Sequence, residues 1–142
     1  MARTTFSGPV VSQNGFITDH TPGAANAINA TATATAAQVA SGYITSTSVG
    51  TVTITLPTGT LLGAALSATQ GTVLDLFIDN TAGASIVTVA VATNGVLSTG
   101  AVDASAGAGT FGDLTIASGA TGLARFTIMF SSATAYAFTR TA

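Results

Sequence analysis

The chain has 142 residues, a net charge of −2 and no cysteine, and its length predicts a single domain. Only 6% of the residues are charged, against about 25% in an ordinary globular domain, and the three cations, Arg3, Arg125 and Arg140, are scattered. This composition excludes disulfide bridges, thiolate metal sites and a clustered basic surface for nucleic acid.

The apolar stretches are too short for a transmembrane helix, and the N-terminus lacks the hydrophobic core of a signal peptide. We therefore expect a protein that is made in the cytoplasm and has no membrane partner. Ala, Thr, Gly, Ser and Val take the place of charged residues. Copies of such a chain repel each other weakly, so we expect it to assemble with other protein. The alternative is a soluble monomer with a hydroxyl-rich surface.

The N-terminal segment has no helical or strand periodicity over residues 1–30 and contains several glycine and proline turn signals. It nevertheless carries large apolar side chains, which a solvated tail does not need. These are Phe6, Val10, Val11, Phe16 and Ile17. We predict an extended arm, residues 1–35, that becomes ordered on a partner surface. An edge strand and turn packed on the chain's own domain is the alternative, and the sequence does not decide between them.

Residues 36–142 are predicted to form the folded domain. Thr35 and Gln38 have the spacing of a capping box, which predicts a short helix or turn over 35–41. A second short helix is predicted over 60–69, because four apolar residues recur there at helical spacing, and Gly71 is its predicted C-cap.

The rest of the domain has the pattern of short strands. Strands are predicted over 43–47, 51–56, 73–79, 85–92, 96–97, 114–116, 123–130 and 135–140, and 73–79 and 85–92 are predicted to form a hairpin. About eight short strands separated by Gly, Asn and Ser turns predict an all-β fold, an antiparallel β-sandwich or small, jelly-roll-like barrel. One or two short helices and the extended N-terminal arm complete the predicted architecture.

Few side chains in this sequence are able to carry chemistry. Asp19 and His20 are the only acid–imidazole neighbours, but adjacent residues in an extended segment point to opposite sides. Asp75 and Asp79 share a strand face about 13 Å apart, too far to share a proton. We therefore expect no enzymatic activity.

The glycine-rich segment 99–113 also carries little chemistry. Asp103 and Asp113 flank it without the dense Asp and Asn spacing of a calcium loop. Its glycines match a dinucleotide fingerprint only in spacing, because the segment after them is β-like and does not open a helix. We expect neither a metal nor a cofactor.

Four stretches of the chain resemble a known group of proteins. Residues 4–16, TTFSGPVVSQNGF, resemble the start of small structural proteins encoded beside the capsid genes of tailed bacteriophages. Residues 34–47, 53–58 and 130–137 resemble the same group. The resemblance implies a capsid decoration (cement) protein, a type that commonly forms trimers at three-fold and quasi-three-fold positions of the shell. It implies no catalytic site.

The expected function is therefore that of a decoration protein that trimerises on the outer capsid surface and clamps neighbouring subunits of the major capsid protein. The arm is expected to bind the shell by strand addition and pocket filling. Its predicted contact residues are Thr4, Thr5, Phe6, Val10, Val11, Phe16 and Ile17. The alternative is a head-fibre or tail-associated virion protein that binds the host surface, although Tyr43 and Tyr136 are the only tyrosines and tryptophan is absent.

Overall fold

The computed structural model describes residues 26–97 and 114–141 of the chain. Most of the regular structure in these ranges is β-strand, arranged in two mixed sheets with two short α-helices. The strands are β1 (Ala32–Thr33), β2 (Tyr43–Thr45), β3 (Val52–Thr55), β4 (Val73–Asp79), β5 (Val87–Ala90), β6 (Gly95–Leu97), β7 (Thr115–Ile116), β8 (Leu123–Ser132) and β9 (Ala135–Arg140). The helices are α1 (Ala36–Ala40) and α2 (Gly59–Leu66). The predicted mainly-β class is confirmed.

Successive strands alternate between the two sheets from β1 to β8. One sheet has four strands in the order β1-β3-β5-β7, and the other has five in the order β2-β4-β8-β9-β6. Because the chain changes sheet after each strand from β1 to β7, most neighbours within a sheet are not consecutive in the chain and need not run in opposite directions. Four of the seven strand pairs in the described ranges are parallel.

This alternation corrects two predictions. The expected antiparallel arrangement is wrong for those four pairs, which include β3 with β5 and β2 with β4. The expected hairpin of β4 with β5 is also wrong, because these strands lie in different sheets. Residues 80–86 carry the chain from one sheet to the other instead of turning it back.

Both sheets contribute to one buried core cluster. The five-stranded sheet supplies its aromatic part, in which the rings of Phe126 and Phe138 stack with centroids 4.9 Å apart and those of Phe130 and Tyr136 lie tilted at 5.7 Å. The four-stranded sheet supplies aliphatic side chains, namely Val52, Ile54, Val87, Val89 and Ile116. In β3 and β4 buried residues alternate with outward ones, as in a strand with one face on the core.

Helix α1 begins where its capping box predicts. The Thr35 side chain accepts a hydrogen bond from the Gln38 backbone N–H at 3.2 Å, and the Gln38 side chain accepts one from the Thr35 backbone N–H at 2.8 Å. Both donors belong to the first turn, which has no partner within the helix. The helix ends at Ala40 with Ser41 as its C-cap, inside the predicted range 35–41.

Helix α2 lies against the turn between β8 and β9. A Cβ atom added at Gly59 or at Gly63 would collide with the backbone carbonyl oxygens of Thr134 or Ala133, so only glycine allows this approach. The predicted C-cap is wrong: the helix ends at Ser67, which adopts the left-handed conformation with φ 50°. The tight turn therefore precedes Gly71 by four residues.

Asn80, which follows β4, links the two sheets. Its side-chain Nδ2 donates to the carbonyl oxygens of Ser85 at 2.8 Å, Ala117 at 3.0 Å and Ile116 at 3.4 Å. Ile116 belongs to β7 of the four-stranded sheet, whereas Asn80 continues a strand of the five-stranded sheet. Because the residue is fully buried, its amide supplies hydrogen bonds that water does not reach.

Residues 26–35, which the sequence assigned to the arm, pack with the sheets. Strand β1 pairs with β3, and Ile28 and Ala34 are buried in the core. The Ile28 N–H donates to the Thr45 carbonyl oxygen at 2.9 Å, so this segment runs along the edge of β2. Residues 1–25 lie outside the described ranges, and the division into an arm over 1–35 and a domain over 36–142 stays a prediction.

Candidate interaction surface

The residues that the sequence singled out for binding lie outside the described ranges. They are Thr4, Thr5, Phe6, Val10, Val11, Phe16 and Ile17. The acid–imidazole pair Asp19-His20 and the two aspartates that flank the glycine-rich segment, Asp103 and Asp113, lie outside these ranges as well. The surface below is therefore built from other residues.

The outer face of the five-stranded sheet is formed by the residues of its strands that point away from the core. Along β4, β8 and β9, its residues alternate with residues that point into the core. Its members are Tyr43 and Thr45 of β2, Val73, Asp75, Phe77 and Asp79 of β4, Leu123, Arg125, Thr127 and Met129 of β8, and Ala137 and Thr139 of β9. We call this set the outer apolar face.

Large apolar side chains are exposed on this face. Val73, Leu123 and Met129 are 53%, 52% and 51% exposed. Val73 lies directly opposite Met129, and Met129 lies opposite Ala137, so these three residues form an apolar row across β4, β8 and β9. Single exposed apolar residues are ordinary, but a contiguous group on one face is typical of a contact surface.

A shallow depression of about 230 Å³ lies beside this row. It is lined by Thr127, Met129, Ala137, Phe138 and Thr139, which belong to the neighbouring strands β8 and β9. Most of these groups are apolar or methyl-bearing, and none of these five described residues is ionisable. Its size and chemistry suit one apolar side chain from another molecule.

The charges of the outer apolar face are few and of both signs. The Asp75 carboxylate accepts a hydrogen bond from the Thr127 hydroxyl at 2.8 Å, and the Arg125 Nε donates to the Thr141 hydroxyl at 3.1 Å. Because Asp75 pairs with Thr127 in the ladder, Arg125 occupies the diagonal position on the next strand. These hydroxyl partners are neutral, so an incoming charge of opposite sign still gains Coulomb energy at either group.

Tyr43 and Asp79 form a hydrogen-bonded pair at the β2 side of the face. The Tyr43 hydroxyl donates to Asp79 Oδ2 at 2.5 Å, and Asp79 Oδ1 accepts from the backbone N–H and the hydroxyl of Thr81. The hydrogen bond to Asp79 and partial burial raise the pKa of Tyr43. Partial burial favours the neutral form of Asp79, but the hydrogen bonds from Thr81 and Tyr43 outweigh it and lower the pKa of Asp79. A tyrosine that holds its proton and an ionised, fully hydrogen-bonded carboxylate indicate a structural pair.

The outer face of the four-stranded sheet is different in character. Thr53 lies opposite Thr88, which lies opposite Thr115, and Thr55 lies between Thr33 and Ala90. We call these six residues the threonine face. None of them is ionisable or a large apolar residue, and the exposed Ile86 lies just before β5, at the margin of this face. Threonine on an outward strand face is accounted for by its β-propensity and by its solvated hydroxyl.

Within residues 26–97 and 114–141 no group of three or more His, Cys, Asp or Glu side chains is placed to hold a metal ion. None of the helices in the same ranges is long and apolar enough to span a bilayer. No family model matches the sequence, and comparisons with curated proteins and with solved structures gave no match.

Sequence reasoning missed the outer apolar face, although one signal for it was present. In β4 and β8 the residues that alternate with the buried ones include Val73, Phe77, Leu123 and Met129, where a solvated strand face would carry polar groups. Successive residues of a strand point to opposite faces. When both sets of alternating residues are apolar, both faces of the strand are typically covered. The pairing that brings Val73 and Met129 together is visible only in the folded chain.

Proposed function

We propose that this chain is a capsid decoration (cement) protein of a tailed bacteriophage. In this proposal it forms a homotrimer on the outer surface of the virion and clamps neighbouring subunits of the major capsid protein. It acts by binding, without catalysis or a cofactor. The observation that carries the proposal is the outer apolar face, which exposes large apolar side chains in the described part of a chain with only 6% charged residues.

The fold that we propose for this role is a β-sandwich made of the two mixed sheets. Support comes from the single core cluster, to which both sheets contribute their buried faces. A two-layer β-domain has a rigid framework, since core side chains are close-packed. Such a framework holds exposed side chains at fixed positions, as repeated binding to a regular lattice requires.

Attachment to the shell is assigned to the arm. Its residues Phe6, Val10, Val11, Phe16 and Ile17 would fill apolar pockets, while its backbone adds a strand to an exposed edge of the capsid subunit. Three arms on one trimer raise the effective concentration of each contact, so weak single contacts add up to firm binding. The low charge of the chain supports this arrangement, because it places little electrostatic repulsion between trimer and shell.

Electron cryo-microscopy of purified particles from the phage that encodes the chain tests this function. The expected result is density for the protein at three-fold or quasi-three-fold positions of the head. Density at fibre tips would support the alternative of a host-binding virion protein, and absence from the particle would overturn both.

Deletion of residues 2–17 tests the role of the arm. The truncated chain is expected to remain a folded trimer, by circular dichroism and light scattering, and to lose binding to undecorated heads. The full-length chain is the control. Normal decoration by the truncated chain would overturn the assignment of shell binding to the arm.

A further inference from the structure

We infer that the outer apolar face binds a second copy of this chain, and that it is the subunit contact of the oligomer. This inference rests on the proposed function, in which the chain is a homotrimer, and it names the surface through which the trimer forms. Three such faces would surround the three-fold axis, so that the β4 side of one copy lies against the β9 side of the next.

The face is large enough to form the centre of a subunit contact. Its four strands, spaced about 4.8 Å apart, are about 19 Å wide, and the seven residues of β4 extend for about 23 Å, which gives a face of about 440 Å². A stable specific interface buries about 800 Å² on each partner, and in a trimer each copy has two neighbours. The subunit contact therefore includes residues beyond the face as well as the face itself.

The apolar row supplies the attraction. Burial of side chains that are about half exposed in the single chain removes apolar surface from water on both partners. Met129 borders the depression of about 230 Å³, into which an apolar side chain of the next copy fits. An unbranched thioether side chain adapts its shape to such a contact at little cost.

The face carries charges of both signs, so two copies of it are able to set opposite charges against each other. Asp75 and Arg125 are both on it, so a copy that presents Asp75 meets a copy that presents Arg125, and the symmetry repeats this contact at every interface. Within the described ranges both groups donate to or accept from hydroxyls, so the contact with another copy does not require either of them to leave a charged partner there. The net charge of −2 adds little repulsion between copies.

Nucleic acid fits the same face less well. Nucleic acid requires several cations, whereas this face carries one arginine and two aspartates, Asp75 and Asp79. The threonine face, on the opposite sheet, lacks both the apolar row and the charge pair. It therefore supplies the matched control surface.

The experiment measures the mass of the full-length chain in solution by light scattering coupled to size exclusion, over a range of concentrations. The wild type is expected to be a trimer. Met129→Lys, which places a charge in the apolar row, is expected to weaken association by at least about 100-fold and to give a monomer. Thr53→Lys adds the same charge to the threonine face and is expected to leave the trimer intact. Circular dichroism establishes that each variant is folded.

Charge reversal gives a second test that does not depend on the behaviour of Met129→Lys. Asp75→Arg and Arg125→Asp are each expected to weaken association, because each sets like charges against each other across the interface. The double variant restores opposite charges and is expected to recover most of the lost affinity. A trimer that persists in Met129→Lys and in both single reversals would overturn the inference.

The outcomes separate this inference from the proposed function. A wild-type monomer that still decorates heads overturns the subunit contact and leaves the decoration role standing. A wild-type trimer that is broken by Met129→Lys but never found on particles supports the contact and overturns the decoration role. A wild type that is already a trimer, with Met129→Lys trimeric but unable to bind heads, overturns the contact and assigns the face to the shell.

Discussion

The five-stranded sheet carries aromatic rings on its inner face and exposed Val73, Leu123 and Met129 on its outer face. The four-stranded sheet carries Val and Ile inside and threonines outside. A sheet with one apolar face buries that face in the core of its own domain. A sheet with apolar groups on both faces also has apolar surface on the side that points away from the core. This difference is the basis of our proposal that the five-stranded sheet, and not the four-stranded one, contacts another molecule.

The largest expected effect tests whether the aromatic layer makes the five-stranded sheet the dominant part of the core. Phe126→Ala is expected to lower the free energy of unfolding by about 4 kcal/mol, because it removes a fully buried ring and leaves a cavity beside Phe138. Val89→Ala, at a fully buried position of the four-stranded sheet, removes only two methyl groups and is expected to cost about 2 kcal/mol. Urea denaturation measures both, and equal losses would contradict this comparison.

The coupling of the two sheets is tested at Asn80. Asn80→Ala removes the Nδ2 donor that serves Ser85, Ile116 and Ala117 and leaves buried carbonyl oxygens without that partner. The expected loss in the free energy of unfolding is about 3 kcal/mol. Asn29→Ala, which removes only the exposed acceptor of the Thr47 N–H, is the control and is expected to cost about 1 kcal/mol. If the two variants lose the same stability, Asn80 does not couple the sheets.

Alkaline pH is expected to act on the five-stranded sheet alone, because β1, β3, β5 and β7 contain no ionisable side chain. Burial raises the pKa of Tyr136 from 10.0 to about 12, and its hydroxyl donates to the Pro57 carbonyl oxygen at 2.9 Å. The neutral phenol is favoured in the folded state, so its contribution is complete below pH 10 and is lost as the pH rises towards 12. The loss over this window is expected to be about 3 kcal/mol.

Denaturation midpoints measured across that window check this prediction. Tyr136→Phe keeps the ring, loses the hydrogen bond and is expected to be about 1 kcal/mol less stable near neutral pH. The stability of this variant is expected to depend much less on alkaline pH than that of the wild type. Tyr43, whose pKa is also raised, accounts for the pH dependence that remains. An unchanged profile would locate the alkaline sensitivity elsewhere.

The smallest expected effect is the loss of a stabilising contribution from Asp79, at the edge of the outer apolar face, at acidic pH. Hydrogen bonds from Thr81 and Tyr43 lower the pKa of Asp79 below 3.8, despite partial burial. The stabilisation is therefore present above pH 4 and is lost as the pH falls through the lowered pKa. Tyr43→Phe removes one of these donors, and nuclear magnetic resonance titration is expected to give a higher pKa for Asp79 than in the wild type. A pKa that does not rise would mean that the Thr81 contacts hold the carboxylate alone.

Local pattern predicted much of the structure. The capping box of Thr35 and Gln38 placed α1, and the apolar–polar alternation placed β3 and β4 with their buried faces. These features depend on residues within one or two turns of the chain. The prediction of a β4–β5 hairpin was wrong, because the chain crosses to the other sheet after Asp79. The hydrogen-bond partners of Asn80 include Ala117, which is far away in the chain, so the local sequence of the turn does not specify them.

The sequence by itself determined the mainly-β class, the elements named above and the scarcity of charge, because strand periodicity and composition are local or summed properties. Only the tertiary structure decided which strands are neighbours and in which direction they run. Strand partners are separated by tens of residues, and many pairings satisfy the same alternation equally well. The outer apolar face is also decided by the tertiary structure, because Val73 and Met129 become neighbours on one surface only when β4 pairs with β8.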